Sequence, residues 1–198
     1  MPAATPKHLL NGPLRPAQIQ TQSFRANRPG IAGPDIPEPP YPIPLEGVVQ
    51  HGFGRGSKDL GCPTANLPDE SLPDMVATVE PGVYYGYAQV LPPEGQQSRL
   101  RSEDHQVWPM VMSLGWNPFY KNERMTAEIH IMHDFADDFY GYNMRALVLG
   151  YIRPELDYTS RDALIEDIEI DKKVALASLA RPGYKYTPDP FFTNRDKT

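Results

Sequence analysis

Apolar and polar positions divide the chain into three stretches with different rhythms. Up to Pro44 the apolar residues follow no period; beyond it they gather into short runs of strand length, and near the C-terminus they recur at helical steps. Strand character is read at Leu45–Gln50, Gly82–Leu91, Val107–Leu114, Thr126–His133 and Met144–Ile152, which are rich in Tyr, Val and Ile. No helix-length pattern separates them. At least five strands in that order predict a mainly β fold, an antiparallel barrel or sandwich closed to protect its edges. One helix is predicted, from a cap near Thr159, with Asp162 three residues on, to Ala180 before Arg181-Pro182-Gly183. Its stripe of Leu164, Ile165, Ile168, Ala175, Leu176 and Leu179 is expected to pack on the sheet, with acids and lysines opposite.

The first stretch, residues 1–44, holds 11 of the 23 prolines and is expected to be a disordered arm. It carries Lys7, Arg15, Arg25 and Arg28 and no acid before Asp35, as a mitochondrial transit peptide would, but its prolines oppose the amphipathic helix such a peptide needs. A cytoplasmic location is expected first, mitochondrial import second. The folded domain is placed at residues 45–192, followed by a tail at 193–198. Phe191 and Phe192, at the end of that domain, either dock back or fray.

Composition narrows the function. At 198 residues there is room for one ordinary domain. A net charge of −6 excludes a general nucleic-acid binder, whose affinity comes from many Lys and Arg contacts to phosphate. The single cysteine, Cys62, excludes an internal disulfide and leaves open a reactive thiol. No apolar run is long enough for a membrane span.

Against the acidic whole, His51–Asn66 is a basic exception. Gly52, Gly54, Gly56 and Gly61 let backbone N–H groups approach a ligand, and Arg55 and Lys58 add positive charge, as a polyphosphate cradle needs. The spacing matches neither the P-loop nor the dinucleotide fingerprint, so a flexible hairpin loop fits the glycines equally well. The stretch ends in Pro63-Thr64-Ala65-Asn66. An extended backbone there puts Thr64 and Asn66 on one face, two neutral oxygen donors suited to a Mg²⁺ that takes its negative ligands from a nucleotide. A turn capped by its own side chains is the competing reading.

A second group of chemically capable residues lies between Gly115 and Tyr142. Glu128 sits inside an apolar strand segment, where an unpaired carboxylate costs several kcal/mol, so it must meet water, a partner or a substrate. His130 and His133 raise the question of zinc, but an i, i+3 pair points to opposite faces of a strand. Asp134, Asp137 and Asp138 fit a solvated turn.

These segments, taken in order, resemble one family. Gly-Phe-Gly-Arg-Gly-Ser-Lys-x-Leu-Gly-x-Pro-Thr-Ala-Asn, Gly-Val-Tyr-Tyr-Gly, Ser-Leu-Gly-Trp-Asn-Pro-Phe-Tyr-Lys-Asn, Glu-Ile-His-Ile-Met-His-x-Phe, Asp-Phe-Tyr-Gly and Gly-Tyr-Ile-Arg-Pro-Glu resemble the eukaryotic monofunctional riboflavin kinases over roughly Leu45 to Phe192. The resemblance implies a six-stranded Greek-key barrel with a C-terminal helix that transfers the γ-phosphoryl of ATP to the 5'-hydroxyl of riboflavin, giving FMN and ADP. It further implies Glu128 as general base, and Thr64 and Asn66 as ligands of Mg²⁺, with Zn²⁺ possible. Gly52, Lys58, Thr64, Ile131, His133 and Tyr140 would hold ATP, and Arg153 and Tyr158 the flavin. A monomer is expected. The stretch Pro92–Asp104 is longer than the resemblance predicts and is expected to change a loop but not the site.

Strict alternation puts Glu128 and His133 on opposite faces, so for both to border one site the strand must bend or end near Met132. Two other functions are weighed: a barrel oxidoreductase carrying permanent FMN, and a silent nucleotide-binding module. The first leaves Thr64 and Asn66 unexplained; Glu128 beside the histidines opposes the second.

Overall fold

The computed structural model describes residues 16–52, 62–116, 125–158, 160–185 and 189–193. Six strands form one antiparallel sheet: β1 (Ile43–Val48), β2 (Ala65–Leu67), β3 (Gly82–Leu91), β4 (Trp108–Trp116), β5 (Met125–Ile131) and β6 (Asn143–Arg153). Their spatial order is β1-β6-β3-β4-β5-β2. The meander β3-β4-β5, with β6 returning beside β3, is the Greek-key arrangement. The sheet curls until its two edges meet, where Gln50 N–H donates to the Asn66 carbonyl at 2.9 Å. That closure places the segment after β1 directly against the Thr64–Asn66 segment.

The long strands β3, β4 and β6 are rich in apolar residues on both faces, and the two faces make two cores. Leu45, Tyr84, Met112, Ile129 and Val148 fill the inside of the curl. Tyr85, Val111, Leu147 and Leu149 point outward and are covered by Val174, Ala175 and Leu179 of the long helix. Each such buried side chain contributes about 1.5–3 kcal/mol relative to exposure. The register of β3 against β6 shifts between Tyr85 and Gly86. There Gly150 leaves room for the Tyr85 ring, which a Cβ would strike.

Among the described residues four α-helices accompany the sheet: α1 (Pro16–Ala26), α2 (Pro73–Thr78), α3 (Arg161–Leu179) and α4 (Pro190–Thr193). None is long and apolar enough to cross a membrane, among the described residues. In α3 the cap is Ser160, whose hydroxyl accepts from Ala163 N–H at 3.2 Å, not the predicted Thr159, which lies outside the described residues. The stripe also differs from expectation. Asp167, Asp171, Val174, Ala175, Ser178 and Leu179 are the buried face, and Leu176 is 48% exposed. Two acids lie on the packed side because cations from elsewhere meet them there.

Residues 16–44 correct the expectation of a disordered arm. They hold α1, and the chain then crosses the outer core. Tyr85 Oη donates to the Ala32 carbonyl at 2.9 Å, Arg181 donates to the Ala32 and Gly33 carbonyls, and Tyr184 Oη donates to that of Pro34 at 3.0 Å. Prolines spare this segment N–H groups it would otherwise have to satisfy, and its carbonyls find donors far along the chain. At the other end Phe192 is buried, so this part of the tail docks back.

Candidate active site

β2 and β5 pair with Asn66 opposite Glu128 and Ala65 opposite Ile129. Ala65 and Ile129 go to the inner core, which leaves Asn66 and Glu128 side by side on the outer face. Thr64, two residues before Asn66, joins them: its Oγ1 lies 3.4 Å from Glu128 Oε2. Gly52 closes the group from the other edge, since a Cβ there would collide with the Asn66 amide. The root of the glycine loop therefore touches the predicted metal pair. Lys58 lies outside the described residues.

Thr64 also lines a cleft of about 540 Å³ with Val49, Ile129, Ile131, His133, Phe139 and Tyr140. Its walls are mainly apolar and aromatic, suited to a flat base with a few polar contacts. Three of the residues predicted to hold ATP, Ile131, His133 and Tyr140, thus meet there. His51 stacks on Tyr140, centroids 3.7 Å apart, so the start of the glycine loop is tied to the cleft as well as to Asn66.

The predicted irregularity in the strand is present. β5 ends at Ile131, and His133 N–H turns back to the Ile131 carbonyl at 2.9 Å while Met132 N–H still reaches Pro109. His133 lies on the cleft side with Ile129 and Ile131, as a period of two places it, while Glu128 faces outward. His133 is held from three directions. Trp108 stacks parallel to it at 4.2 Å, Phe135 meets it edge-on at 4.9 Å, and Nε2 lies 2.7 Å from Asp104 Oδ1.

Asp104 is the residue that sequence reasoning missed. It is fully buried, in the 3₁₀ turn Ser102–His105, at the end of the long hairpin connection expected to spare the site. Arg101 brackets it through its backbone N–H and its guanidinium, and Ala136 N–H approaches at 3.4 Å. Burial pushes its carboxyl up, but the bonds from Arg101 and His133 outweigh that and hold it well below the usual carboxylate range. The signal available in sequence was Arg-x-x-Asp beside an aromatic strand, which is common in turns.

His130 and Cys62 drop out of the chemistry. His130 is buried with Nδ1 2.8 Å from the Pro63 carbonyl, and burial lowers its pKa. The Cys62 thiol is pushed up to about 11 by burial and is not a nucleophile near neutrality. Among the described residues no cluster of His, Cys, Asp and Glu could hold a metal by itself.

A family model described as flavokinase, riboflavin kinase, matches residues 39–179, from just before β1 to the end of α3. The chain belongs to the riboflavin kinase family. A riboflavin kinase of Scheffersomyces stipitis is 49% identical over 178 residues, 82% of this chain and 98% of that one. One of Pyricularia oryzae is 50% identical over 162 residues, 79% of this chain and 81% of its own. The crystal structure of riboflavin kinase from Trypanosoma brucei superposes with a TM-score of 0.59 at 26% identity, covering 79% of this chain and 92% of that one.

The two residues that the family resemblance placed at the flavin are not in the cleft. Glu128, Ser113, Val83 and Arg153 are successive register partners across β5, β4, β3 and β6, so Arg153 lies three strand spacings, about 14 Å, from Glu128 along the same row. Its guanidinium is buried against Asp171 of α3, Nε at 2.9 Å and Nη2 at 2.6 Å. Tyr158 lies beyond the end of β6, with the Arg25 guanidinium of α1 5.6 Å from its ring centroid. Arg25 and Arg28 both pair with Asp167.

Proposed function

We propose that the group formed by Thr64, Asn66 and Glu128 is the phosphoryl-transfer centre of this riboflavin kinase. The enzyme is a phosphotransferase that uses ATP to convert riboflavin to FMN. Membership of the family disfavours a barrel with permanent FMN. The observation that carries the site assignment is the meeting of Asn66 and Thr64 with Glu128 on the outer face, at the mouth of a base-sized cleft.

In this reading the ATP base enters the cleft between Ile131, His133 and Tyr140, and its phosphates run past Thr64 towards Glu128. Gly52 and Lys58 belong to the loop over the phosphates. Glu128 accepts the proton of the 5'-hydroxyl as that oxygen attacks the γ-phosphorus in line with the departing ADP. Curling of the sheet brings its two edges together, and in this reading hydroxyl and phosphate would be held there side by side, which would remove the entropy cost of bringing them together during reaction.

The donor set fits Mg²⁺. Thr64 and Asn66 offer neutral oxygens beside one carboxylate, which suits a hard cation that draws its remaining ligands from phosphate and water. Zn²⁺, which favours nitrogen and sulfur, finds no such set among the described residues. When bound, the ion would neutralise phosphate charge, and Thr64 and Asn66 would hold it.

The flavin ring is placed along the outer row, with Tyr158 offering an aromatic face and Arg153 fixing the end of β6 against α3. Because the Arg153 guanidinium is bound to Asp171, its contribution is to fix this end of the outer row. A cytoplasmic monomer is the accompanying reading. The test is Glu128→Gln, which keeps the shape and removes the base. FMN formation at saturating substrates falls by about 10²- to 10⁴-fold. Turnover near the wild-type rate would remove Glu128 from the mechanism.

A further inference from the structure

We propose that Asp104, supplied by the long β3–β4 connection, is a positioning residue for the nucleotide: it fixes the ring of His133 against Trp108 and so sets one wall of the cleft. This rests on the reading that the cleft takes the ATP base. A carboxylate buried at 0% exposure must be answered on all sides, and here one answering group is a cleft residue. An ionised carboxylate accepts only, so Nε2 of His133 must carry the proton in their 2.7 Å contact. Ring rotation and tautomer are then both settled, leaving Nδ1 as the ring's remaining polar atom.

Two further contacts extend the hold to the backbone. Arg101, which brackets Asp104, also donates to the Asp134 carbonyl, and Ala136 N–H points to Asp104 Oδ2. Asp134, Phe135 and Ala136 all line the cleft. One turn of the connection thereby grips the segment that forms a whole side of the nucleotide site. A connection that did no more than join two strands would have no reason to bury a charge at that place.

The experiment compares Asp104→Asn, His133→Ala and the double variant in FMN formation, with KM for ATP and for riboflavin measured separately. Asp104→Asn raises the ATP KM about tenfold, while kcat at saturating ATP and the riboflavin KM stay within about twofold. The double variant is worse than His133→Ala alone by less than the Asp104→Asn effect, because Asp104 acts mainly through that ring and only secondarily through the backbone of Asp134 and Ala136. A loss of kcat with unchanged ATP KM, or additive losses in the double variant, would overturn the proposal. If His133→Ala itself leaves the ATP KM unchanged, the cleft is not the ATP site and the underlying reading fails instead.

Should Asp104→Asn not fold, the wild-type enzyme still decides. Nitrogen-15 NMR of the neutral His133 ring must show the proton on Nε2. A neutral ring protonated on Nδ1 would contradict the contact on which the proposal stands.

Discussion

Asp104 beside the cleft and Asp171 beneath α3 are both carboxylates taken out of water, and their surroundings differ in kind. Asp171 meets Arg153 through three contacts of 3.0 Å or less, and both groups are buried under the helix. Burial pushes the Asp171 carboxyl up while the guanidinium pulls it down; the contact geometry is that of an ion pair, and Arg153 is raised by it. Asp104 is equally buried, but one of its partners, His133, forms a wall of an open cleft. A closed pair of charges holds two elements together, whereas a pair with one member on a cleft wall can also set the geometry of a ligand.

That contrast breaks most sharply at the closed pair. Asp171→Ala leaves the Arg153 charge buried without its carboxylate and should cost about 3–5 kcal/mol of stability in urea unfolding. The ATP KM of the folded variant should stay at the wild-type value. A loss below about 1 kcal/mol would show that Arg153 reaches water once freed.

A smaller loss is expected where the arm meets α3. Asp167 is almost fully buried between Arg25 and Arg28, so the double change of both arginines to Ala should cost about 1.5–3 kcal/mol. Limited proteolysis should then cut within residues 16–30 before the rest of the chain. Cutting at the wild-type rate would mean that α1 docks without these pairs.

The last expected difference is one of slope, and it falls in acid. The Asp104 carboxyl is held below its unfolded value of about 3.9, so its contribution is complete above that pH and is lost as pH falls through the lower folded value. The acid limb of the stability curve should be shallower in Asp104→Asn than in the wild type. Superimposable limbs would show that folding does not lower the Asp104 carboxyl.

Much of the fold was legible because it rests on local pattern. Five strands and α3 follow from short Tyr-, Val- and Ile-rich runs and from helical spacing, and the position of Thr64 and Asn66 on one face follows from a period of two. The end of β5 near Met132 was also legible, although Glu128 and His133 stay on opposite sides of the strand, as alternation places them. β2 was too short to announce itself, although its extended backbone was inferred from Pro63.

What escaped depends on pairings between residues far apart in sequence. Asp167 and Asp171 looked like the solvent side of α3 because nothing near them in sequence is basic at the right height; Arg25 is 142 residues away and Arg153 is 18. The arm looked disordered because its carbonyls are satisfied by Tyr85, Arg181 and Tyr184, none of which its own composition can reveal. Asp104 was hidden for the same reason. Its role depends on where β5 ends, and the connection that carries it read as extra length.

The central claim is that Glu128, set beside Thr64 and Asn66 by the pairing of β2 with β5, serves as the base for phosphoryl transfer. The most direct measurement is chromatographic assay of FMN formed from riboflavin and ATP, across a Mg²⁺ titration, for the wild type and Glu128→Gln. The account predicts FMN that depends on the ion in the wild type and falls by about 10²- to 10⁴-fold in the variant at every ion concentration. Equal turnover by the two proteins at saturating Mg²⁺ would contradict it.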